Sequence, residues 1–285
     1  MTTSPLPSWL TDSAKVIPGV KALALGASGS GKTYLMTTLA QAGLTVIHIG
    51  LEPSRQTLAK AITSSKDVSF ANYHYMEVET APTSFAALKD TASKLNALTF
   101  KAICDLEGIN RDKTRGFLKL LDLLGNIVID GKSIGSADTL DNKYAIVIDS
   151  LSALSILAKQ LIAGQNPALS PSQWNMAQDT VRTLLNKLCF ECNCHVFVLG
   201  HLEPEKDEVT GKVVNMPSTL GRKLAPELSR YFDETFIVKG ENGKHTIATL
   251  DSMAATKARL FPYSKELPAT LVPLINEWRS VNNLK

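Results

Sequence analysis

The sequence lacks any long apolar run. Its longest are strand-sized, as in Ala145-Ile146-Val147-Ile148, and none approaches the ~20 residues that a membrane-spanning helix needs. Met1 to Trp9 is polar and carries neither the basic start nor the apolar stretch of a secretory leader. A cytoplasmic location with no membrane partner is therefore expected. No charge of one sign dominates: the formal net charge of +3 is too small to imply a nucleic-acid or membrane partner by itself. Cysteine is scarce, and the four present would sit in a reducing compartment where disulfides rarely persist. There is no internal repeat and no low-complexity segment. What is present is 44% hydrophobic and 20% charged, which provides for a buried core and excludes a disordered or fibrous chain. The 285 residues fit a single α/β domain, read as 21–285 after an N-terminal arm at 1–20.

Strand and helix patterns alternate. Lys21 to Leu25 is a short apolar strand that runs into a Gly-rich loop, and Lys32 to Gln41 reads as a helix with Leu35, Met36 and Leu39 on one face. Gly43 stands at the expected helix end. Thr45 to Ile49 is a second strand, and Pro53 suits the start of a helix over Ser54 to Ile62. Phe85, Leu88, Ala92 and Leu95 have helical spacing. In 100–143 only Phe117 to Leu124 reads as a helix, followed by a polar Gly/Asp-rich stretch. Tyr144 to Ile148 is a third strand, closed by Asp149-Ser150. Ser170-Pro171 opens an amphipathic helix bearing Trp174, Ala177, Val181, Leu184 and Leu188. His195 to Leu199 is a fourth strand, ending at Gly200-His201. A polar loop at 202–217 and a helix to about Tyr231 follow. The Asn242-Gly243 turn then joins Thr235–Lys239 to His245–Leu250 as a hairpin. The pattern predicts a mostly parallel sheet flanked by helices with an antiparallel hairpin near the C-terminus.

The segment Gly26-Ala27-Ser28-Gly29-Ser30-Gly31-Lys32-Thr33 matches the phosphate-loop pattern in full, between a strand and a helix. Phosphate is polyanionic, and a helix N-terminus offers free N–H groups and a positive dipole end. Glycines let the backbone wrap the oxygens. Lys32 is expected on the β- and γ-phosphates and the Thr33 hydroxyl on Mg²⁺, with Tyr34 completing the nucleotide-binding segment. Asp149 ends an apolar strand, where a carboxylate can hold the Mg²⁺ water shell. The expected cofactors are ATP and Mg²⁺.

Beyond the phosphate loop and Asp149, the order of Val46–Glu52, Ile146–Ser150 with Leu151-Ser152-Ala153-Leu154, Val196–His201, Thr210-Gly211, Pro217–Gly221 and Lys257-Ala258-Arg259 resembles the RecA-like ATPases. These include recombinases, hexameric helicases of the DnaB kind and KaiC. The chain is most similar to phage-encoded RecA-like nucleotide-binding proteins linked to single-strand annealing and recombination. The resemblance spans roughly residues 20–275. It implies a RecA-like core, ATP hydrolysis, single-stranded DNA as partner, a ring or filament of identical chains, and single-strand-binding or recombination proteins as further partners. It also implies roles. Glu52 would polarise the attacking water, although the helix dipole also favours an acidic residue in a first turn. His201 would sense the γ-phosphate from a strand's carboxyl end. Lys257 and Arg259, on one face if extended, would reach a neighbour's γ-phosphate, although paired cations also suit a solvated edge strand.

DNA is carried only by that resemblance. The family's DNA-contacting loops fall at 155–172 and 202–217. The second holds Glu203, Glu205, Asp207 and Glu208 against Lys206 and Lys212, whereas a phosphate-binding loop should be basic. Arg222 and Lys223 follow it and could serve. The acidic loop leaves open an ATPase that binds protein partners instead. Trp174 has core spacing, so burial is expected rather than base stacking. Cys189, Cys192, Cys194 and His195 suggest zinc, but they read better as the end of an apolar helix face and the start of a strand.

Overall fold

The structure, a computed structural model, describes residues 16–64, 69–78, 115–164, 169–206 and 213–284, together with Ser84, Phe85, Ala86, Lys89, Ser93 and Gly211. Strand β1 (Lys21–Gly26) leads into α1 (Lys32–Met36) and its continuation α2 (Thr38–Gln41). Then come β2 (Thr45–Gly50), α3 (Arg55–Ser64) and β3 (Tyr73–Glu77). Helix α4 (Gly116–Gly125), the small hairpin β4 (Ile127–Ile129) and β5 (Lys132–Gly135), and β6 (Tyr144–Asp149) follow. Helices α5 (Leu151–Ala163) and α6 (Pro171–Asn186) precede β7 (His195–Lys206) and β8 (Val213–Pro217). The chain closes with α7 (Gly221–Leu224), β9 (Glu234–Glu241), β10 (Lys244–Ala248), β11 (Leu267–Pro268) and α8 (Val272–Val281).

The main sheet runs in the order β11-β10-β9-β1-β7-β6-β2-β3, with β8 attached to β7. From β9 to β3 every pairing is parallel, and β10, β11 and β8 are antiparallel. Parallel strands require covered faces, and the alternation within each strand serves both. Leu23, Leu25, Ile47, Ile49, Ile146 and Ile148 face the side covered by α4, α5 and α6. Ala22, Ala24, Val46, Ala145, Val147 and Leu199 face α1, α2 and α8. Because β7 and β6 lie between β1 and β2, the carboxyl ends of β1, β6 and β2 meet at one rim with His201, where β7 runs on to pair with β8. The register aligns Gly26 with His201 and Gly50 with Asp149 there.

The mostly parallel sheet, its flanking helices and the C-terminal hairpin are as the pattern predicts. The hairpin turn has Asn242 at φ 51° and Gly243 at φ 76°. Ser170 caps α6 with a reciprocal bond to Gln173. Three segments differ from the sequence reading. Residues 155–163, read as part of a loop, continue α5. The polar 202–217 segment is not a loop, because Leu202–Lys206 and Val213–Pro217 pair as antiparallel strands. The Gly/Asp-rich stretch after α4 holds the β4–β5 hairpin, turned at Asp130 (φ 49°) and Gly131 (φ 77°). Pro18 to Val20, read as the end of an arm, are fastened to the domain: Trp278 Nε1 donates to Pro18 O at 3.2 Å and Val20 N to His195 Nδ1 at 2.9 Å. Leu88, Ala92 and Leu95 lie outside the described residues, as do the side chain of Arg222 and residues Asp207 and Glu208. Among the described residues no helix is long and apolar enough to cross a membrane.

Candidate nucleotide-binding site

The loop after β1 folds back on itself with Ser30 N donating to Ala27 O at 3.2 Å. Gly31 ends it at φ 96° and caps α1, a conformation that costs a side-chain-bearing residue about 1–2 kcal/mol. A Cβ there would also come within 2.8 Å of His245 Nδ1, which bonds Ser30 O at 2.9 Å. Gly31→Ala is therefore expected to lower unfolding stability by about 1–3 kcal/mol in a urea titration, through strain and the displaced His245. Unchanged stability would mean that the loop rearranges freely.

Lys32 turns back under the loop. Its ammonium donates to Gly26 O and Ala27 O, both at 2.9 Å, and lies 3.4 Å from His201 Nδ1. Burial lowers its pKa below the ordinary 10.5, against the opposing pull of Asp149 and Glu52. Thr33 Oγ1 donates to Asp149 Oδ2 at 2.9 Å, and His48 Nε2 stands 3.2 Å from the same oxygen. Burial alone would raise the Asp149 carboxyl. The hydrogen bond and charge of His48, the bond from Thr33 and the charge of Lys32 outweigh it, so the net shift is downward.

Glu52 lies just past β2, where the amides of Leu51 and Glu52 reach Asp149 O at 2.6 and 3.3 Å. Its two carboxylate oxygens are held separately: Ser150 Oγ donates to Oε1, and His201 Nε2 is 3.4 Å from Oε2. His201 thus spans the lysine and the glutamate. These groups line a cavity of about 470 Å³ together with Ser28, Gly29 and Tyr34, a size within the usual ligand range. The residues fit a Mg–nucleotide. The hydroxyl of Thr33 and the carboxylate of Asp149 are the oxygen donors that Mg²⁺ takes. Among the described residues Ser30 Oγ is buried without a hydrogen-bond partner, in the same loop as a lysine whose nearest bonds are to backbone carbonyls.

Of the residues singled out in the sequence, Gly26 to Tyr34, Glu52, Asp149 and His201 come together. Lys257 and Arg259 do not. Lys257 joins β9 through a single bridge to Thr235, at the opposite rim from the loop. Its ammonium donates to Ser229 O at 3.2 Å and Phe232 O at 2.6 Å. Arg259 pairs with Asp233 at 2.7 Å and its side chain is 61% exposed. The backbone amides of Arg259 and Leu260 both bond the buried Glu234. Cys189, Cys192 and Cys194 are buried in the core, and burial pushes the Cys189 and Cys194 thiols up to about 12. Trp174 is partly buried against that core, with the Lys159 ammonium 5.2 Å from its ring centroid. Sequence reasoning missed His48, Ser150 and His245. His48 carried a signal as a lone polar residue inside an apolar strand.

A phosphate loop at the carboxyl end of β1, facing Asp149 across the switch in strand order, defines an α/β P-loop NTPase fold. The model of the AAA domain family matches residues 19–260, and the chain belongs to that family. Among solved structures, a RadB recombinase aligns at a TM-score of 0.40 and 14% identity, covering 90% of this chain and 88% of that one. The flagellar accessory protein FlaH from Methanocaldococcus jannaschii aligns at 0.36 and 11%, covering 89% and 86%. No curated protein matches the sequence.

Proposed function

We propose that the chain binds ATP with Mg²⁺ and hydrolyses it. The observation that carries this reading is the convergence of Lys32, Thr33, Glu52, Asp149 and His201 on one cavity, at the rim shared by four neighbouring strands. Lys32 and the loop amides hold the β- and γ-phosphates, and Thr33 with Asp149 holds the cation. When bound, Mg²⁺ supplies positive charge against the charge that spreads over the transferred phosphoryl oxygens. Glu52 orients the attacking water and accepts its proton. His201, between Glu52 and Lys32, couples the state of the terminal phosphate to the position of that carboxylate. Phosphate release measured with and without Mg²⁺ tests the reading: Mg²⁺-dependent release is expected, and its absence in a folded, nucleotide-binding protein would refute hydrolysis.

Arg259 is assigned to a neighbouring copy's phosphate. Leu23 pairs with Thr235, so about 10 Å of strand separates the Lys257 bridge from the chain's own loop, which supports a role at another subunit's site rather than at its own. Lys257, held by two carbonyls, is left to position the segment. Arg259→Ala is expected to keep nucleotide affinity while turnover falls by about 10³-fold. Normal turnover would remove the in-trans assignment.

Single-stranded DNA is the effector that the resemblance to RecA-like ATPases favours. A specific observation favours a protein partner instead. The β7–β8 hairpin presents Glu203 and Glu205 on one strand, with Glu203 receiving a bond from Ser218 Oγ at 2.7 Å. An acidic strand of this kind favours a phosphate backbone less than a basic one would. Stimulation of phosphate release by single-stranded DNA at low salt would decide for DNA and no response would refute it, whereas a pulled-down protein that accelerates release without DNA would decide for the protein partner.

A further inference from the structure

His48 sits in the middle of β2, fully buried, among Val46, Ile47 and Ile49. A polar ring in such a place costs stability unless both nitrogens find partners. Both do. Nδ1 is 2.7 Å from the Tyr73 hydroxyl and Nε2 is 3.2 Å from Asp149 Oδ2. The rings of Tyr73 and Tyr75 flank the imidazole at centroid distances of 6.0 and 5.7 Å. The register explains the reach. His48 neighbours Val147 and Gly50 neighbours Asp149, so His48 stands one diagonal step from the carboxylate on the same face.

The direction of the row follows from its ends. A carboxylate only accepts, so Nε2 carries a hydrogen, and with the imidazole neutral Nδ1 receives one from Tyr73. Burial holds the Tyr73 phenol well above its ordinary value of 10, so that hydrogen stays in place. Thr33 Oγ1 donates to the same Asp149 oxygen from the helix side. Two donors on one oxygen, one from β2 and one from α1, fix the rotation of the carboxylate. The donor from β2 is anchored in turn by β3.

We propose that His48 is a positioning residue, which holds Asp149 in the orientation that a divalent cation on the nucleotide requires, and that Tyr73 fixes the imidazole for that task. The inference rests on the reading of Thr33 and Asp149 as the cation's residues. Outer partners of metal-binding side chains set affinity because they remove the cost of orienting the ligand atom.

The test is binding of a fluorescent ATP analogue in EDTA and across a Mg²⁺ titration, for wild type, Tyr73→Phe and His48→Phe, with thermal unfolding of each. Wild type should tighten as Mg²⁺ is added. Both variants should match its affinity in EDTA within about twofold, while half-saturating Mg²⁺ rises about tenfold in His48→Phe and about threefold in Tyr73→Phe. If His48→Phe does not fold, Tyr73→Phe decides, because it keeps the ring and removes only the hydroxyl. Folded variants with the wild-type Mg²⁺ response would reduce His48 to a packing residue and overturn the inference. An equal loss in EDTA and in Mg²⁺ would also overturn it, since the row would then be supporting the loop. Wild type binding nucleotide without any Mg²⁺ response would instead refute the cation reading itself, before any variant is compared.

Discussion

Lys32→Ala is expected to lower ATP affinity by about 100-fold or more and to bring turnover to background. The ammonium is buried beneath the loop, bonded to the Gly26 and Ala27 carbonyls and 3.4 Å from His201. Hydrogen bonds to charged groups contribute about 1.5–3 kcal/mol each, and two phosphates would share this donor. The fold should survive. Burial disfavours this ammonium, as its lowered pKa shows, so its removal relieves a cost as it removes two bonds. The signature is therefore lost binding at nearly unchanged unfolding stability, read by titration calorimetry beside a denaturant curve. Retained affinity would mean that the lysine only braces the loop.

Glu52→Gln is expected to do the reverse: affinity stays within about threefold while turnover falls by about 10²–10⁴-fold. The amide keeps the size of the carboxylate, and its oxygen can still accept from Ser150 Oγ, so the geometry near Asp149 persists. What is lost is the group that accepts a proton from water. Single-turnover phosphate release with pre-bound ATP separates this from weakened binding. A variant that releases phosphate normally would leave Glu52 as an acidic residue near the start of α3, placed there by the helix dipole.

The nucleotide loop was legible in the sequence because its motif is contiguous and its flanks are local: an apolar strand before, a helix after. Asp149 was legible as the residue that ends a buried strand; His201 was read as ending one too, but β7 runs on to Lys206 and only its parallel pairing with β1 stops at His201. His48 was not, although a histidine inside Val46–Ile49 is unusual. Its partners Tyr73 and Asp149 are brought to it only by the register of β3, β2 and β6. The β7–β8 hairpin was misread because its residues are polar. Cross-strand backbone pairing holds it on the surface, where no apolar period is required. The β4–β5 hairpin had a local sign in Asp130-Gly131, a dipeptide suited to two successive positive φ values, but the polar stretch around it obscured the flanking strands. Lys257 and Arg259 have the spacing of strand neighbours, yet Lys257 is tied to β9 by a single bridge, and the two side chains turn to different partners.

The central claim is that the cavity under the β1–α1 loop holds a Mg–nucleotide. Titration calorimetry of the wild-type chain with ATP, in Mg²⁺ and then in EDTA, tests it most directly. One nucleotide per chain is expected, bound more tightly with Mg²⁺. No binding of ATP by the folded protein, with or without the cation, would contradict it.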